Sequence, residues 1–528
     1  MNGKKLARVL NRTFNIIFLI SFGCMFFTII FMGYGNKNNK YSEIERPWIV
    51  LTFLLLLVIF TAVYIFIQKY NSSTKYRRLK TTQNLTDRNI KKIIFTVAGI
   101  MLVIQLIAGY LLEMTPVSDL KNLNKYALDF AQNGNFNLIQ KDYQNNYAYL
   151  IRYPNNLALV FFLSFLYRLA YLNYGYVPMY IPIVVNALAI NVSVLLTVFI
   201  ARKIFGNRKA LMVLILSFLF APYYTYVSYY YTDSISMPFC VGAIYLFICA
   251  IKSDQRYKKY LMLVICGVLV FCGYKIKGSV ILILAAAIIF LILKFKVKKT
   301  ACLLLALIAG FGFVRTVYTT VYNSSEIITQ KQSDKYEYPY THWVMMGLKN
   351  NGSYDKEDDA YTRKFPDKNA KQEANIDEIK NRLTNYGIVG LAKHIAYKSV
   401  WTWEDGTYYI SNHIKNPIRE NFLHSIVIDK NEYQPIFFVY SSGFQLFLIF
   451  MICMSVLKGC IKPEINFQTF LRGIVFAVFI FFIIWETRSR YLYNFTPIFI
   501  LLAVDGLDFF TEKIKPLKYF WEARNKKT

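Results

Sequence analysis

"NNLALVFFLSFLYRLAYL", residues 155–172, decides how many times this chain crosses a membrane. It is apolar enough to read as a span, yet it is short and carries Arg168 well before its end. Counting it would put the basic segment "ARKIFGNRK" (from Ala201) outside, against the cytoplasmic bias of lysine and arginine. The segment is therefore expected to be an interfacial helix on the outer leaflet. The amphipathic stretch that follows Asp119, where Leu120, Leu123, Tyr126, Ala127 and Phe130 recur at helical spacing, is read the same way.

Working outward, apolar segments fall near 14–34, 48–68, 93–113, 177–201, 210–223, 234–251, 260–274, 278–294, 301–318, 435–457, 467–485 and 491–510. Runs of about 20 uncharged residues mark membrane helices, and the chain as a whole is 55% hydrophobic and only 17% charged. The N-terminal run is too long for a signal peptide and lacks a small-residue cleavage site, so it reads as an uncleaved first span. Lys4, Lys5, Arg8 and Arg12 put the N-terminus in the cytoplasm, and the basic loop "KYNSSTKYRRLKTTQNLTDRNIKK" follows on that side. The fold class expected is an all-α polytopic membrane protein. It would have about twelve spans, interfacial juxtamembrane helices, a mainly helical extracytoplasmic loop domain and both termini in the cytoplasm.

The organisation expected is an N-terminal hairpin with its basic loop (1–92), a transmembrane module (93–318) with a first outer loop at 115–176, a second outer loop domain (319–434), C-terminal spans (435–510) and a basic tail (511–528). Within the loop domain, "YDKEDDAYTRKFPDKNAKQEAN" looks like a mobile acidic–basic segment, and "DEIKNRLTNYGIVGLAKHIAYKSVWTW" (from Asp377) has helical spacing. The formal net charge of +30 is concentrated in short connections between spans, which suits membrane lipid headgroups and argues against nucleic acid as a partner. The eight cysteines lie in or beside apolar runs without a CxxC pair, so they read as packing residues.

The spans carry few charges in their middles, unlike ion-coupled carriers. The notable charges sit at outer helix ends: Asp119, Asp233, Lys275, Lys277, Glu486, Arg488 and Arg490. Each has an ordinary alternative. Asp119 in "SDL" and Asp233 in "YYTDSISMPF" could be helix caps, and the cations could reach toward headgroups. Tyr491 and the tyrosine run before Asp233 could belong to an interfacial aromatic belt. The loop-domain histidines have no metal-ligand spacing.

Four segments in order resemble the GT-C superfamily of polytopic glycosyltransferases. "PVSDLKNLNKYALDFA" is similar to the acidic motif opening that family's first outer loop. "IRYPNNLALVFFLSFLYRL" resembles its YPP-L juxtamembrane helix. "VFCGYKIKGSVILILAA" is similar to its LTKGP helix start, with Ser279 where the family has proline, and "WETRSRYLYNFTPIFILLA" resembles its late E-x-R-x-RY segment. The set spans most of residues 93–510. Two spans precede the module, and a single Asp119 stands where several members carry adjacent acids, which disfavours a divalent metal cofactor.

The resemblance implies an inverting transferase that moves sugar from a polyprenyl (undecaprenyl) phosphate carrier to an extracytoplasmic acceptor glycan, such as teichoic acid or cell-wall polysaccharide, in a bacterial plasma membrane. Asp119 would be the catalytic base. Lys277, Arg488 and Arg490 would bind the lipid phosphate, and Asp233, Tyr153, Glu486, His342 and Trp343 would form an acceptor or secondary site, with no metal ligand. Polyprenyl phosphate is a good leaving group, so such a transfer needs one base and fixed cations rather than the two carboxyls of a hydrolase. The alternatives are a transporter or flippase for lipid-linked sugars, or a glycan polymerase or ligase using diphosphate-linked oligosaccharide.

Overall fold

The computed structural model describes residues 3–31, 41–69 and 87–524, and every named element among them is helical. Most of the expected cytoplasmic loop (70–86) and the end of the basic tail (525–528) lie outside the described residues. Helices α1 (Gly3–Phe31), α2 (Tyr41–Lys69) and α3 (Asp87–Leu111) come first. Next are α4 (Ser118–Asn133), α5 (Asn137–Gln144), α6 (Tyr149–Arg152) and α7 (Leu157–Tyr174). The central group is α8 (Ile181–Phe205), α9 (Asn207–Leu219), α10 (Pro222–Thr225), α11 (Thr232–Ile235), α12 (Met237–Lys252), α13 (Arg256–Ile276), α14 (Ile281–Lys294) and α15 (Val297–Ser324). The loop domain holds α16 (Gln330–Tyr336), α17 (Tyr340–Met346), α18 (Lys356–Arg363), α19 (Lys368–Trp403) and α20 (Phe422–Val427). Helices α21 (Gln434–Ile461), α22 (Phe467–Ile484) and α23 (Thr496–Arg524) complete the chain.

Eleven described helices are long and apolar enough to cross a membrane, and Pro154–Tyr174 is one of them. Its packing nevertheless lays it across one end of the bundle. Tyr180 Oη donates to Leu106 O at 2.5 Å, and Asn191 Nδ2 donates to Ala98 O at 2.9 Å, so α3 and α8 run antiparallel with residues 111 and 181 at the same end. The start of α7 meets Asp119 at that end through Asn156, Tyr149 and Tyr231. From its last residue, six residues that include a turn (Ile181 N to Pro178 O, 3.1 Å) lead into α8. Six extended residues reach about 20 Å, short of the ~30 Å hydrocarbon core. Helix α7 packs instead along α4: Tyr167 Oη donates to Asn124 at 2.5 Å, and Arg168 caps the end of α4 at Ala131 O, 2.6 Å. Among the described residues, the ten remaining helices, one bent pair and the shorter apolar helix Gly278–Lys294 are the candidates for the roughly twelve crossings expected.

The bent pair revises one expected span. The segment near 210–223 breaks between Asn207–Leu219 and Pro222–Ser228, with a 59° change of direction. Proline lacks an amide hydrogen, so Pro222 cannot extend the ladder of α9 and instead opens the next helix in its first turn. The change of direction falls at Phe220, which is extended at ψ 94°.

The two spans ahead of the resemblance belong to the same body. Phe60 packs on Phe444 and Phe447, Phe26 on Phe450, and Phe22 on Trp403. A Cβ at Gly443 would sit 2.7 Å from Thr52, so only glycine allows α2 and α21 to approach this closely.

The segment expected to be mobile, from Tyr354, is folded. Asp355 caps α18 by accepting from Glu357 N and Asp358 N, and Asp367 caps α19 by accepting from Asn369 N and Ala370 N. Its acids are not a solvated run: Asp358 and Asp359 are buried, and Arg382 grips both oxygens of Asp358 at 2.8 Å. Helix α19 is broken at Gly387, whose φ of 56° lies in the left-handed region. The loop domain joins the exit of α3 through the Met114–Pro417 bridge and the Arg419–Glu113 ion pair at 2.7 Å.

Candidate functional site

Three breaks in the helical bundle meet at this end, and each carries part of the charge. The chain leaves α3 and starts α4 with Ser118 at φ 50° and Asp119 in the first turn. Between α13 and α14, Lys277 is extended at φ −145°, ψ 112°. Between α22 and α23, the extended residues Trp485 (ψ 158°) and Arg488 (ψ 157°) bracket Glu486, and the short helical turn Ser489–Phe495 carries Arg490. Helix breaks put side chains at bundle ends where the backbone no longer directs them along a helix face. Strained backbone gathers here too, with Ser118, Tyr408 and Tyr409 all at positive φ.

Asp119 is not a cap. The N-cap of α4 is Val117, and no side-chain cap bond forms. Its carboxylate accepts from Tyr149 Oη at 2.8 Å and, more weakly, from Tyr231 Oη at 3.4 Å. Burial, reinforced by Asp119, pushes the Tyr149 phenol far above its usual value, so Tyr149 remains a donor. The Arg490 guanidinium lies 3.8 Å from Asp119 Oδ2, and the Asp119 side chain stays 40% exposed. That separation is an ion pair without a hydrogen bond, so the carboxylate keeps an open face.

Arg490 is held from several sides. Its Nη1 donates to Tyr229 Oη at 3.2 Å and lies 3.3 Å from His413 Nε2, and its guanidinium sits 5.2 Å from the ring centres of Tyr231 and Tyr491. Tyr491 donates to both oxygens of Glu486, at 3.0 and 3.1 Å, and Lys277 Nζ lies 4.7 Å from its ring centre. Burial pushes the Glu486 carboxyl up, against the pull of Arg488 and Arg490. Thus Asp119, Glu486, Arg490, Lys277 and Asp233 form one connected cluster although they lie up to several hundred residues apart in sequence.

Several assignments change. Lys277 is neutralised: it forms a buried ion pair with Asp233, so it is not a free phosphate ligand. Asp233 is likewise no cap, since Tyr231 occupies the N-cap of α11. Arg488 makes no ion pair among the described residues; its guanidinium stacks on Tyr409 at 5.2 Å and its Nε is buried without a partner. The tyrosine run is not an interfacial belt. Tyr226, Tyr229, Tyr230 and Tyr231 are buried, and their hydroxyls bond to Tyr408 O, Arg490, Asn124 and Asp119.

Tyr153, His342 and Trp343 stand behind the site. Tyr153 donates to Asp359 at 3.1 Å and touches Tyr149 only ring to ring, at 5.3 Å. His342 is fully buried, with Nδ1 2.8 Å from Thr362 Oγ1 and its ring 4.2 Å from that of Tyr338. Burial lowers its pKa to about 4, so it is a neutral packing residue rather than an acceptor ligand. Trp343 stacks on Trp485 at 5.6 Å instead of standing over a sugar site, and its carbonyl accepts from Glu486 N at 3.0 Å. Lys398 helps to clamp the same linker from behind, donating to Gly347 O at 2.7 Å and Ile483 O at 2.9 Å. Burial draws its pKa down to about 7.

Sequence reasoning missed Tyr149, Asn156, Tyr231, Tyr229 and His413. The first two sit in the quoted juxtamembrane segment or just before it, but nothing local says that a tyrosine hydroxyl will turn toward an acid thirty residues away. Asp405, within "WTWEDGTYY", accepts from Tyr409 N at 2.8 Å and from Ser489 Oγ at 2.8 Å, and so ties that turn to the Arg490 segment. Among the described residues no three His, Cys, Asp or Glu side chains gather to hold a metal ion.

The chain belongs to a family described as "Conserved hypothetical integral membrane protein", which it matches over residues 6–508. No curated protein and no solved structure matches it.

Proposed function

We propose that this integral membrane protein is an inverting glycosyltransferase that takes a sugar from a polyprenyl phosphate carrier and passes it to an acceptor glycan outside a bacterial plasma membrane. The observation that carries the reading is the open Asp119 carboxylate, 3.8 Å from the fixed Arg490 guanidinium, at the end of the bundle where α4 and α7 lie across. Basic connections such as those around Arg202, Lys252–Lys259 and Lys294–Lys299 lie at the other end, which supports the reading that this end, with the N-terminus, faces the cytoplasm.

The chemistry follows from the groups present. The acceptor hydroxyl oxygen attacks the anomeric carbon as the bond from that carbon to the phosphate oxygen breaks. The hydroxyl proton passes to Asp119, and the bond electrons leave on the phosphate. The guanidiniums of Arg490 and Arg488 meet that charge; an arginine fork suits phosphate oxygens, and fixed cations cost no reorganisation during reaction. The buried Lys277–Asp233 pair and Glu486 hold the two arginines' surroundings rigid. A teichoic acid or other cell-wall polysaccharide fits as acceptor because the site opens at a membrane surface.

The test is reconstitution in liposomes with polyprenyl phosphate sugars supplied only in the outer leaflet, one hexose or pentose at a time, and teichoic acid or cell-wall polysaccharide supplied outside as the acceptor, with release of polyprenyl phosphate and labelling of the acceptor as the readout. A transferase works under these conditions without moving lipid across the bilayer. Absence of release for every sugar, with lipid transfer between leaflets instead, would establish the transporter alternative. A requirement for diphosphate-linked oligosaccharide would establish the ligase.

A further inference from the structure

His413 meets the charged groups of the site at Arg490. It follows the short helical turn Ile410–Asn412, and its amide donates to Ile410 O at 2.9 Å. The turn is entered through Tyr408 and Tyr409 at φ 54° and 63°, a costly pair for non-glycine residues, and Asp405 holds the strained segment in place. The imidazole lies flat on Tyr229, centroids 4.4 Å apart with planes 8° apart, and meets Tyr409 edge-on at 5.3 Å. Its Nε2 faces Arg490 Nη1 at 3.3 Å.

A guanidinium only donates. Nε2 must therefore be the acceptor, which makes the ring neutral with its hydrogen on Nδ1. The charged groups around it agree: Arg490 and Arg488 face it from the α22–α23 connection and Lys415 from its own segment, and all three disfavour a further positive charge. The rings facing it are Tyr229 and Tyr409, and two carboxylates of the surroundings are engaged elsewhere: Asp119 lies against Arg490, and Asp405 accepts from Tyr409 N and Ser489 Oγ. Burial and these cations hold the imidazole well below the usual histidine range.

We propose that His413 is a positioning residue whose neutral Nε2, together with Tyr229, draws Arg490 back from Asp119 so that the carboxylate keeps the open face that accepts the acceptor's proton. Without that acceptor, Arg490 closes on Asp119 as a hydrogen-bonded pair, and the carboxylate is no longer available as a base. The inference rests on the glycosyltransferase reading for its kinetic consequence, but not for the state of the imidazole.

Two measurements test it. In ligand-free wild-type protein carrying 15N-histidine, the His413 resonance, assigned by its loss in His413→Gln, is expected to show a neutral Nδ1–H tautomer at pH 6. An imidazolium or an Nε2–H tautomer there overturns the proposal whatever the protein's activity. In the liposome transfer assay, His413→Phe keeps the ring on Tyr229 but removes the acceptor. Its kcat is expected to fall about 30-fold, with KM for the polyprenyl phosphate sugar within about threefold of wild type. His413→Gln, whose amide oxygen can accept from Arg490, is expected to recover to within about fivefold. Wild-type kcat in His413→Phe, or equal damage in the two variants, overturns the positioning role. Failure of wild-type protein to transfer any sugar sinks the glycosyltransferase reading instead and leaves the resonance to decide the imidazole.

Discussion

Two clusters of buried charge sit at opposite ends of this bundle, and α23 and its approach contribute to both. At the end away from the candidate site, Asp505 accepts from Ser455 at 2.6 Å and Lys458 at 2.9 Å. One turn on, Asp508 accepts from Tyr64 at 2.7 Å, Lys209 at 2.6 Å and Lys458 at 3.3 Å. Arg472 nearby donates to Ser455 O at 2.9 Å. No side-chain atom of these residues is buried without a partner among the described residues. The site end is built differently. Asp119 and Arg490 stop at 3.8 Å, and Asp233 Oδ2 and the Nε atoms of Arg488 and Arg490 are buried without partners among the described residues. A closed network pins α2, α9, α21 and α23 together. An open one leaves binding capacity unused in the folded chain, as expected where a ligand completes the set.

The sharpest break of this comparison is Asp119→Asn. Transfer should fall by about 10³-fold, within the range for a lost general base, while thermal unfolding in detergent stays at the wild-type temperature. Loss of folded protein instead would make Asp119 another pin. The converse substitution, Asp508→Ala, strands Lys209 and Tyr64. It should lower stability by about 3 kcal/mol, since an uncompensated buried charge costs more than the pair contributed. The double change Lys209→Met with Asp508→Leu should restore most of that loss, and transfer per folded molecule should be unchanged in both. Denaturant melts alongside the transfer assay separate the two outcomes.

A smaller effect concerns the loop domain behind the site. His342 has its folded pKa lowered to about 4 from an ordinary 6.5. The unfolded chain therefore binds the extra proton between those values, and stability falls with decreasing pH across that window. The loss is about 2–3 kcal/mol at most, read from Trp343–Trp485 fluorescence as denaturant is added at pH 7 and at pH 4.5. His342→Gln should flatten the pH dependence. Smallest of all, Arg488→Ala should raise the KM for the polyprenyl phosphate donor about tenfold, the value of one charge-assisted contact, because Arg490 remains. If Lys277→Met has that effect while Arg488→Ala has none, the assignment of the free cation is reversed.

Much of the architecture was legible in single segments. Span length and hydropathy are local quantities, so apolar runs and the tilt of residues 155–172 out of the bundle followed from composition and from where basic residues fall. The position of Asp119, Glu486, Arg488 and Arg490 at helix ends was legible for the same reason: a charge at the end of an apolar run is conspicuous. Less visible was the break at Phe220, where Pro222 supplied the signal inside a run that hydropathy alone reads as continuous. The folded state of the acidic segment from Tyr354 was hidden by its charge. Its aspartates cap helices and bind Arg382, and capping is visible only once the helix that needs it is known.

By itself, then, the chain's amino-acid order determined a helical membrane bundle with ionisable residues at helix ends, because burial in lipid forces both helix length and the exile of charge. Only the tertiary structure decided which charges pair. It matched Lys277 with Asp233 and left Arg488 without an ion pair among the described residues. It also brought Tyr149, Tyr231 and His413 onto the Asp119–Arg490 axis and turned His342 and Trp343 inward. Electrostatic and hydrogen-bond partners act over a few ångströms, and contacts between residues so far apart in the chain exist only after the helices and the loop domain have packed.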